Sequence, residues 1–287
     1  MINRKRKARI ANLIGKIFII VLFLVLIVNV IVPDKEKSEL ENRTLESRPR
    51  FNLTTVLSGD FMEQWEKYLS DQFAGRNTWR RVKVGLDRLG GAKMENNIYI
   101  GKGGQLMENI EVPDEDQLDA NMTAIQNFAQ TYEDIPVTMM LVPDAACILT
   151  DRLPAFAEVE DQRQMFSMAE RKLGDSVNWI DTVSILNKHK SEKLYYKTDH
   201  HWTTQGAFYV FQDAAQTFGI EGDISDDFVS YTVTDSFNGV LAASSGVGLD
   251  ERELIDIYVP TEGDDDVIVH YVDEGRKTTS LYDSSKL

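Results

Sequence analysis

Residues 195–207 read Tyr-Tyr-Lys-Thr-Asp-His-His-Trp-Thr-Thr-Gln-Gly-Ala. This stretch concentrates groups able to exchange protons near neutral pH, because two histidines, His200 and His201, stand side by side behind Asp199 and before Trp202. In an extended segment, residues two apart point the same way, so Asp199 and His201 share one side and His200 takes the other. A carboxylate so placed orients an imidazole and stabilises the imidazolium that forms when the ring takes a proton. The pair is the base half of a nucleophile, base and orienter system, with no nucleophile attached. In the plainer alternative, Asp199 caps the following helix and both histidines pack on its first turn. A metal site on Asp199, His200 and His201 is the third reading. It asks two successive imidazoles to turn onto one ion, with no further His/Glu pair at ligand spacing to help. No metal or cofactor is expected.

Downstream, Ala207, Val210, Phe211, Ala214, Ala215 and Phe218 form the apolar face of a helix closed by Gly219, with Thr203 or Thr204 as its N-cap. The motif therefore stands at a helix N-terminus, which favours an anion such as ionised Asp199. Upstream, helix and strand alternate. Leu118, Met122, Ile125, Phe128, Ala129 and Tyr132 share a helix face opened by Pro113 and Asp114, and Val137 to Val142 reads as a buried strand. Pro143-Asp144 ends it where α/β proteins place functional loops. A helix over Gln162 to Leu173, a strand over Val177 to Ile180 and a short helix from Val183 to His189 complete a βαβ pattern. His189, between Lys188 and Lys190, reads as an exposed histidine, and Cys147 among Ala145, Ala146, Ile148 and Leu149 as a buried thiol. With one cysteine there is no internal disulfide and no multi-cysteine zinc site.

After Asp223 the pattern becomes alternating and turn-rich, with Val229, Tyr231 and Val233 on one face, then Phe237-Asn-Gly, then Val267, Val269 and Tyr271. Asp264-Asp265-Asp266 lacks the spaced ligands of a calcium loop and reads as a solvated turn. Before the α/β region, Asn97-Ile-Tyr-Ile-Gly-Lys-Gly-Gly-Gln-Leu-Met reads as a hairpin around a glycine-rich turn, without the spacing of a phosphate loop. Phe61, Trp65, Tyr68, Leu69 and Phe73, then Trp79, Val82, Leu86 and Leu89, fall at helical spacing and read as core or interface.

The N-terminus is built differently. Ile17 to Val32 is uncharged and apolar except for Asn29; counted from Leu13, with Lys16 snorkelling, it reaches 20 residues, enough to cross a hydrocarbon core of about 30 Å. The basic cluster Arg4, Lys5, Arg6, Lys7 and Arg9 should remain cytoplasmic, which puts the body outside. A cleaved signal peptide is the competing reading, but no small-x-small cleavage site follows the run. The expected organisation is a basic N-terminus (1–12), a transmembrane signal anchor (13–32), a charged stalk (33–50) and an extracytoplasmic α/β domain (51–287). The first 33 residues hold six basic groups and no acids, so the remainder carries 25 basic against 46 acidic groups. A body of that charge repels nucleic acid phosphates, and no nucleic acid partner is expected.

At Lys197-Thr-Asp-His-His-Trp-Thr-Thr-Gln-Gly-Ala the chain resembles the DHHW proteins of Firmicutes and, more broadly, alginate O-acetyltransferases with an SGNH-hydrolase-like fold. Supporting matches are the N-terminal anchor, Glu41-Asn-Arg, the segment from Phe61 to Arg76, Asn97-Ile-Tyr-Ile-Gly-Lys-Gly-Gly and Leu141-Val-Pro. The resemblance implies a flavodoxin-like three-layer α/β domain, with Asp199 as orienter and His201 as general base. It also implies a serine that attacks an acyl donor and hydrogen-bond donors that hold the oxyanion. Ser236, Ser244, Ser245 and Ser280 are the candidates; Asp235-Ser-Phe has no Gly before the Asp and follows an alternating strand. The implied serine is accordingly expected C-terminal to residue 287, with the chain inactive alone and its α/β domain incomplete. The expected function is acyl transfer or ester hydrolysis on a cell-envelope polysaccharide, with an acyl-donor partner. A non-catalytic envelope scaffold or glycan-binding protein is the alternative.

Overall fold

The computed structural model describes residues 4–38, 43–262 and 268–279. The expected features at Glu41 and Asn42, Asp264 to Val267 and Ser280 lie outside them. The chain divides into two compact units, residues 1–87 and 88–287, and the division falls within a helix.

The first unit opens with α1 (Arg4–Ile31), of which Arg9–Ile31 is long and apolar enough to cross a membrane, with a mean hydropathy of 2.9. A short antiparallel pair, β1 (Lys37–Ser38) and β2 (Arg43–Thr44), is followed by α2 (Leu53–Ser58), α3 (Asp60–Gln72) and α4 (Arg76–Leu89). Asn52 caps α2 through a bond from Thr54 N, and Gly59, at φ 91°, turns the chain directly into α3. The charged segment read from sequence as a solvated stalk is strapped to α3. Arg43 grips Asp71 through both guanidinium nitrogens at 2.9 and 2.6 Å, and the Gln72 amide accepts from Lys35 N and donates to the carbonyls of Lys35 and Glu46. Side-chain partners on the helix thus replace water for this polar backbone. The stripe expected on α3 does assemble, with Trp65 against both Phe61 and Tyr68. The stripe of α4 does not enter a core: Trp79, Val82 and Leu86 are 57%, 46% and 63% exposed.

The second unit begins with an antiparallel sheet of β3 (Met94–Glu95), β4 (Ile98–Ile100) and β5 (Leu106–Glu108), the hairpin expected around the glycine turn. There follow α5 (Glu115–Thr131), β6 (Thr138–Met140), α6 (Ala145–Ile148), α7 (Gln162–Leu173), β7 (Asn178–Ile180), α8 (Thr182–Lys188) and α9 (Thr204–Ala214). After these come β8 (Phe228–Phe237), α10 (Val240–Ser245), β9 (Glu253–Pro260) and a final hairpin of β10 (Val269–Tyr271) and β11 (Arg276–Thr278). β6 and β7 pair in parallel, Met139 opposite Trp179, as the βαβ pattern requires. Helices α5 and α7 pack together over this pair through Leu118, Met122, Ala129, Ala169 and Leu173. A second core joins α6, α8 and α9 through Ile148, Leu186, Leu194, Tyr195 and Val210.

Two expectations change. The strand expected over Val137 to Val142 is shorter, and Met140 remains 40% exposed, because among the described residues β6 has β7 as its one neighbour. The region after Asp223 is more regular than its turn-rich sequence implies: β8 pairs with β9 over most of its length, with two bulges between Thr232 and Phe237.

A buried carboxylate under an exposed imidazole

Tyr195 and Trp202 form an isolated antiparallel bridge, and Thr203 N donates to Leu194 O at 2.8 Å, so residues 196–201 close into a tight loop. Two anchors fix it. The buried Tyr195 hydroxyl donates to Pro143 O at 2.6 Å, which ties the loop to the segment following β6, and burial raises that phenol's pKa. On the other side, Thr203 caps α9: its hydroxyl accepts from Gly206 N and donates to Lys193 O.

Inside the loop Asp199 is 5% exposed. Its Oδ1 accepts from His201 N at 3.0 Å and lies 2.6 Å from His201 Nδ1; its Oδ2 accepts from Val240 N at 3.0 Å, at the start of α10. The structure therefore brings together the two residues paired from sequence, by a different local geometry. Residues 198–201 form a bend, not a strand, and the bond from His201 N to the Asp199 carboxylate two residues back is an Asx turn. Strand alternation does not hold in such a turn. His200 is not sent to the opposite side: its Nδ1 lies 3.8 Å from Asp199 Oδ1 and its ring centroid 4.0 Å from that of His201.

The electrostatics follow from this geometry. Burial pushes the Asp199 carboxyl up, but bonds from His201 N, Val240 N and the His201 ring, with the nearby His200, outweigh it, and its pKa is lowered. The His201 side chain is 67% exposed. A ring that donates its Nδ1 proton to Asp199 keeps the Nε2 lone pair for a proton acceptor's work. The fixed carboxylate and accessible ring can accept and return a proton at one defined atom.

The supports of the loop come from far along the chain and were not apparent in its sequence. Glu253, itself buried, accepts from Lys197 N, Thr198 N and the Thr198 hydroxyl at 3.0, 2.9 and 2.7 Å. Gly239 N donates to the same hydroxyl at 3.0 Å, and Asn238 Nδ2 donates to the carbonyls of Gly248 and Glu251. The available signals were the Asn-Gly pair at 238–239, in the region read as turn-rich, and an acid opening the apolar run of β9. His189, expected exposed, is half-buried: it stacks on Tyr209 at 3.8 Å and meets Glu192 through Nδ1 at 3.0 Å.

The hydroxyls of Ser236 and Ser245 bond elsewhere. Ser236 donates its hydroxyl to Asp235 at 2.9 Å on exposed β8, and the buried Ser245 donates to Leu241 O. The Ser244 carbonyl accepts from Asn96. Asp199, His200 and His201 place one ligand atom each within 4.8 Å of one another, close enough to hold a metal ion, although the Asp199–His201 bond already occupies one carboxylate oxygen.

Residues 106–248, from β5 past α10, match the family model described as ALGX: SGNH hydrolase-like domain, acetyltransferase AlgX, and form such a domain. Among solved structures, a DHHW family protein from Eubacterium siraeum is 22% identical, with a TM-score of 0.45 over 57% of this chain and 57% of that one. The O-acetyltransferase domain of Pseudomonas putida AlgJ is 18% identical, with a TM-score of 0.46 over 58% of this chain and 66% of that one. Bacillus cereus PatB1, solved with a sulfonyl adduct, is 20% identical, with a TM-score of 0.49 over 64% of this chain and 62% of that one. The matches thus span between 57% and 66% of the length of these proteins. No curated protein matches the chain.

Proposed function

We propose that this chain belongs to a membrane-anchored O-acyltransferase or acyl esterase of the cell envelope, with α1 as the anchor, its N-terminus cytoplasmic and the second unit outside. The observation that carries the chemistry is the 2.6 Å pairing of buried Asp199 with exposed His201. The match of residues 106–248 to an acetyltransferase family supports the reaction class. In this reading His201 takes the proton of a serine hydroxyl as the oxygen attacks the acyl carbonyl, and Asp199 holds the imidazolium that results. The proton then goes to the leaving group. Water or a sugar hydroxyl, deprotonated by His201 in turn, attacks the acyl-serine and regenerates the hydroxyl. The family resemblance, and the bonds that occupy Ser236 and Ser245, favour a nucleophile outside residues 1–287. Val240, whose amide holds Asp199, also lines a groove of about 390 Å³ with Asn96, Asn97, Glu108, Asn109 and Ser244. Its amide-rich lining suits an acceptor polysaccharide.

The test is hydrolysis of a generic acyl ester and deacylation of an acylated glycan by the chain alone and by the chain extended through any downstream coding sequence. Activity confined to the extended protein and lost in His201→Ala is expected. Activity in the 287-residue chain that disappears with Ser236→Ala would instead make Ser236 the nucleophile. Activity indifferent to His201→Ala would sink the proposal.

A further inference from the structure

Helix α4 carries an outward apolar face that the proposed chemistry does not use. Trp79, Val82 and Leu86 stand at i, i+3 and i+7, one face of a helix, and all three are exposed. Val84, on the opposite side of the turn, is the buried residue of α4, so the apolar face is turned away from the interior. Between residues 76 and 87 the helix carries Arg76, Arg80, Arg81 and Lys83 against one acid, Asp87, which pairs with Lys83 at 2.9 Å. Arg76, Arg80 and Lys83 fall along one flank of the apolar face at 100° per residue. In a body that is otherwise strongly acidic, this basic run stands out.

Its position within the first unit names the occupant. Asn29, the polar residue of the apolar run in α1, accepts from Ala74 N at 2.8 Å through its side chain, so the turn between α3 and α4 sits two residues below the end of α1. That is about 3 Å along the helix axis. Phe73 and Trp79 reach further down and line a groove of about 750 Å³ with Leu22, Val25 and Leu26 of α1 and with Glu66, Arg76 and Arg80. Aromatic rings beside the outer half of an apolar span, with guanidinium groups next to them, match the chemistry of a membrane–water interface.

We propose that the first three turns of α4 lie on the bilayer surface, with Trp79, Val82 and Leu86 in the outer interfacial layer and Arg76, Arg80 and Lys83 on anionic phospholipid headgroups. This rests on the reading that α1 crosses the membrane.

The full chain, reconstituted in vesicles of phosphatidylcholine alone or with phosphatidylglycerol, provides the test. Lipids brominated near the headgroup end of their acyl chains should quench a component of its tryptophan fluorescence that is missing in Trp79→Phe. A fluorescent label on Val82→Cys should report an apolar environment, and Arg76→Glu/Arg80→Glu/Lys83→Glu should reduce the quenching severalfold in the anionic vesicles. Equal quenching of wild type and Trp79→Phe, with a water-exposed label at residue 82, overturns the proposal. So does disulfide cross-linking of Val82→Cys between copies, which would make the face a self-association surface. Carbonate extraction separates the premises: a chain that stays in the pellet without these signals keeps its anchor and loses the surface helix, whereas a chain released from the pellet loses both.

Discussion

A β-carbon on Gly239 would stand 2.4 Å from Cβ of Asp199 and 2.6 Å from its Oδ2. Gly239 has an extended backbone, φ −90° and ψ 178°, so space rather than conformation excludes a side chain there. Gly239→Ala must displace either the acid or the start of α10. A loss of about 1 to 3 kcal/mol in unfolding free energy is expected, as for an overpacked core. Denaturant titration measures it. Histidine NMR should show the His201 ring released in the same variant.

Glu253→Gln tests the second clamp. A carboxylate accepts from Lys197 N, Thr198 N and the Thr198 hydroxyl at once, whereas a carboxamide offers one oxygen and turns an NH2 toward the remaining donors. A cost of about 1 to 3 kcal/mol is expected. Hydrogen exchange at the amides of residues 197 and 198 should accelerate; unchanged protection would show that the loop does not depend on Glu253.

Acid stability should carry the mark of Asp71. The bond from Arg43 comes first in lowering its pKa, from 3.8 to about 2, against a smaller opposing effect of burial. A depressed carboxyl contributes stability that is complete above its unfolded value and lost as pH falls through its folded value. Asp71→Asn should therefore destabilise the first unit at neutral pH, by about 1 kcal/mol given the exposure of Arg43. The difference from wild type should close as pH falls from 3.8 towards 2. A difference that persists at the acid end would assign the effect to packing instead of charge.

The two histidines should separate by function. If His201 is the base, His201→Ala costs about 10²- to 10⁴-fold in acyl transfer. His200→Ala, which leaves the 2.6 Å bond in place, should cost far less. Equal losses would make the pair a unit, as in metal binding, and a metal titration of both variants would then decide.

Local features of this fold were the readable ones. Helix α7 begins after Asp161, which caps it, and ends at Gly174, whose φ of 52° suits glycine; both signals lie in the sequence itself. The pairing of Asp199 with His201 was legible because two neighbouring residues make it, although an Asx turn rather than strand alternation brings it about. The clamps were not legible. Val240 and Glu253 meet the loop from 41 and 55 residues away, and no periodicity in a single sequence encodes that separation. Trp79 and Val82 had a readable period, but a period does not say whether a face meets protein or something else.

The Asn238-Gly239 pair carries a consequence of another kind. Asn-Gly is the dipeptide most open to spontaneous deamidation, in which the glycine amide nitrogen attacks the asparagine carboxamide and a succinimide forms. In the folded chain Gly239 N is held by the Thr198 hydroxyl, and the Asn238 carboxamide donates to Gly248 and Glu251, so both reactants are kept from each other. Unfolding frees them. Each excursion of this segment thus risks a permanent isoaspartate two residues before Val240, whose amide holds Asp199, and the mass of an aged preparation would keep a chemical record of how often the loop has opened.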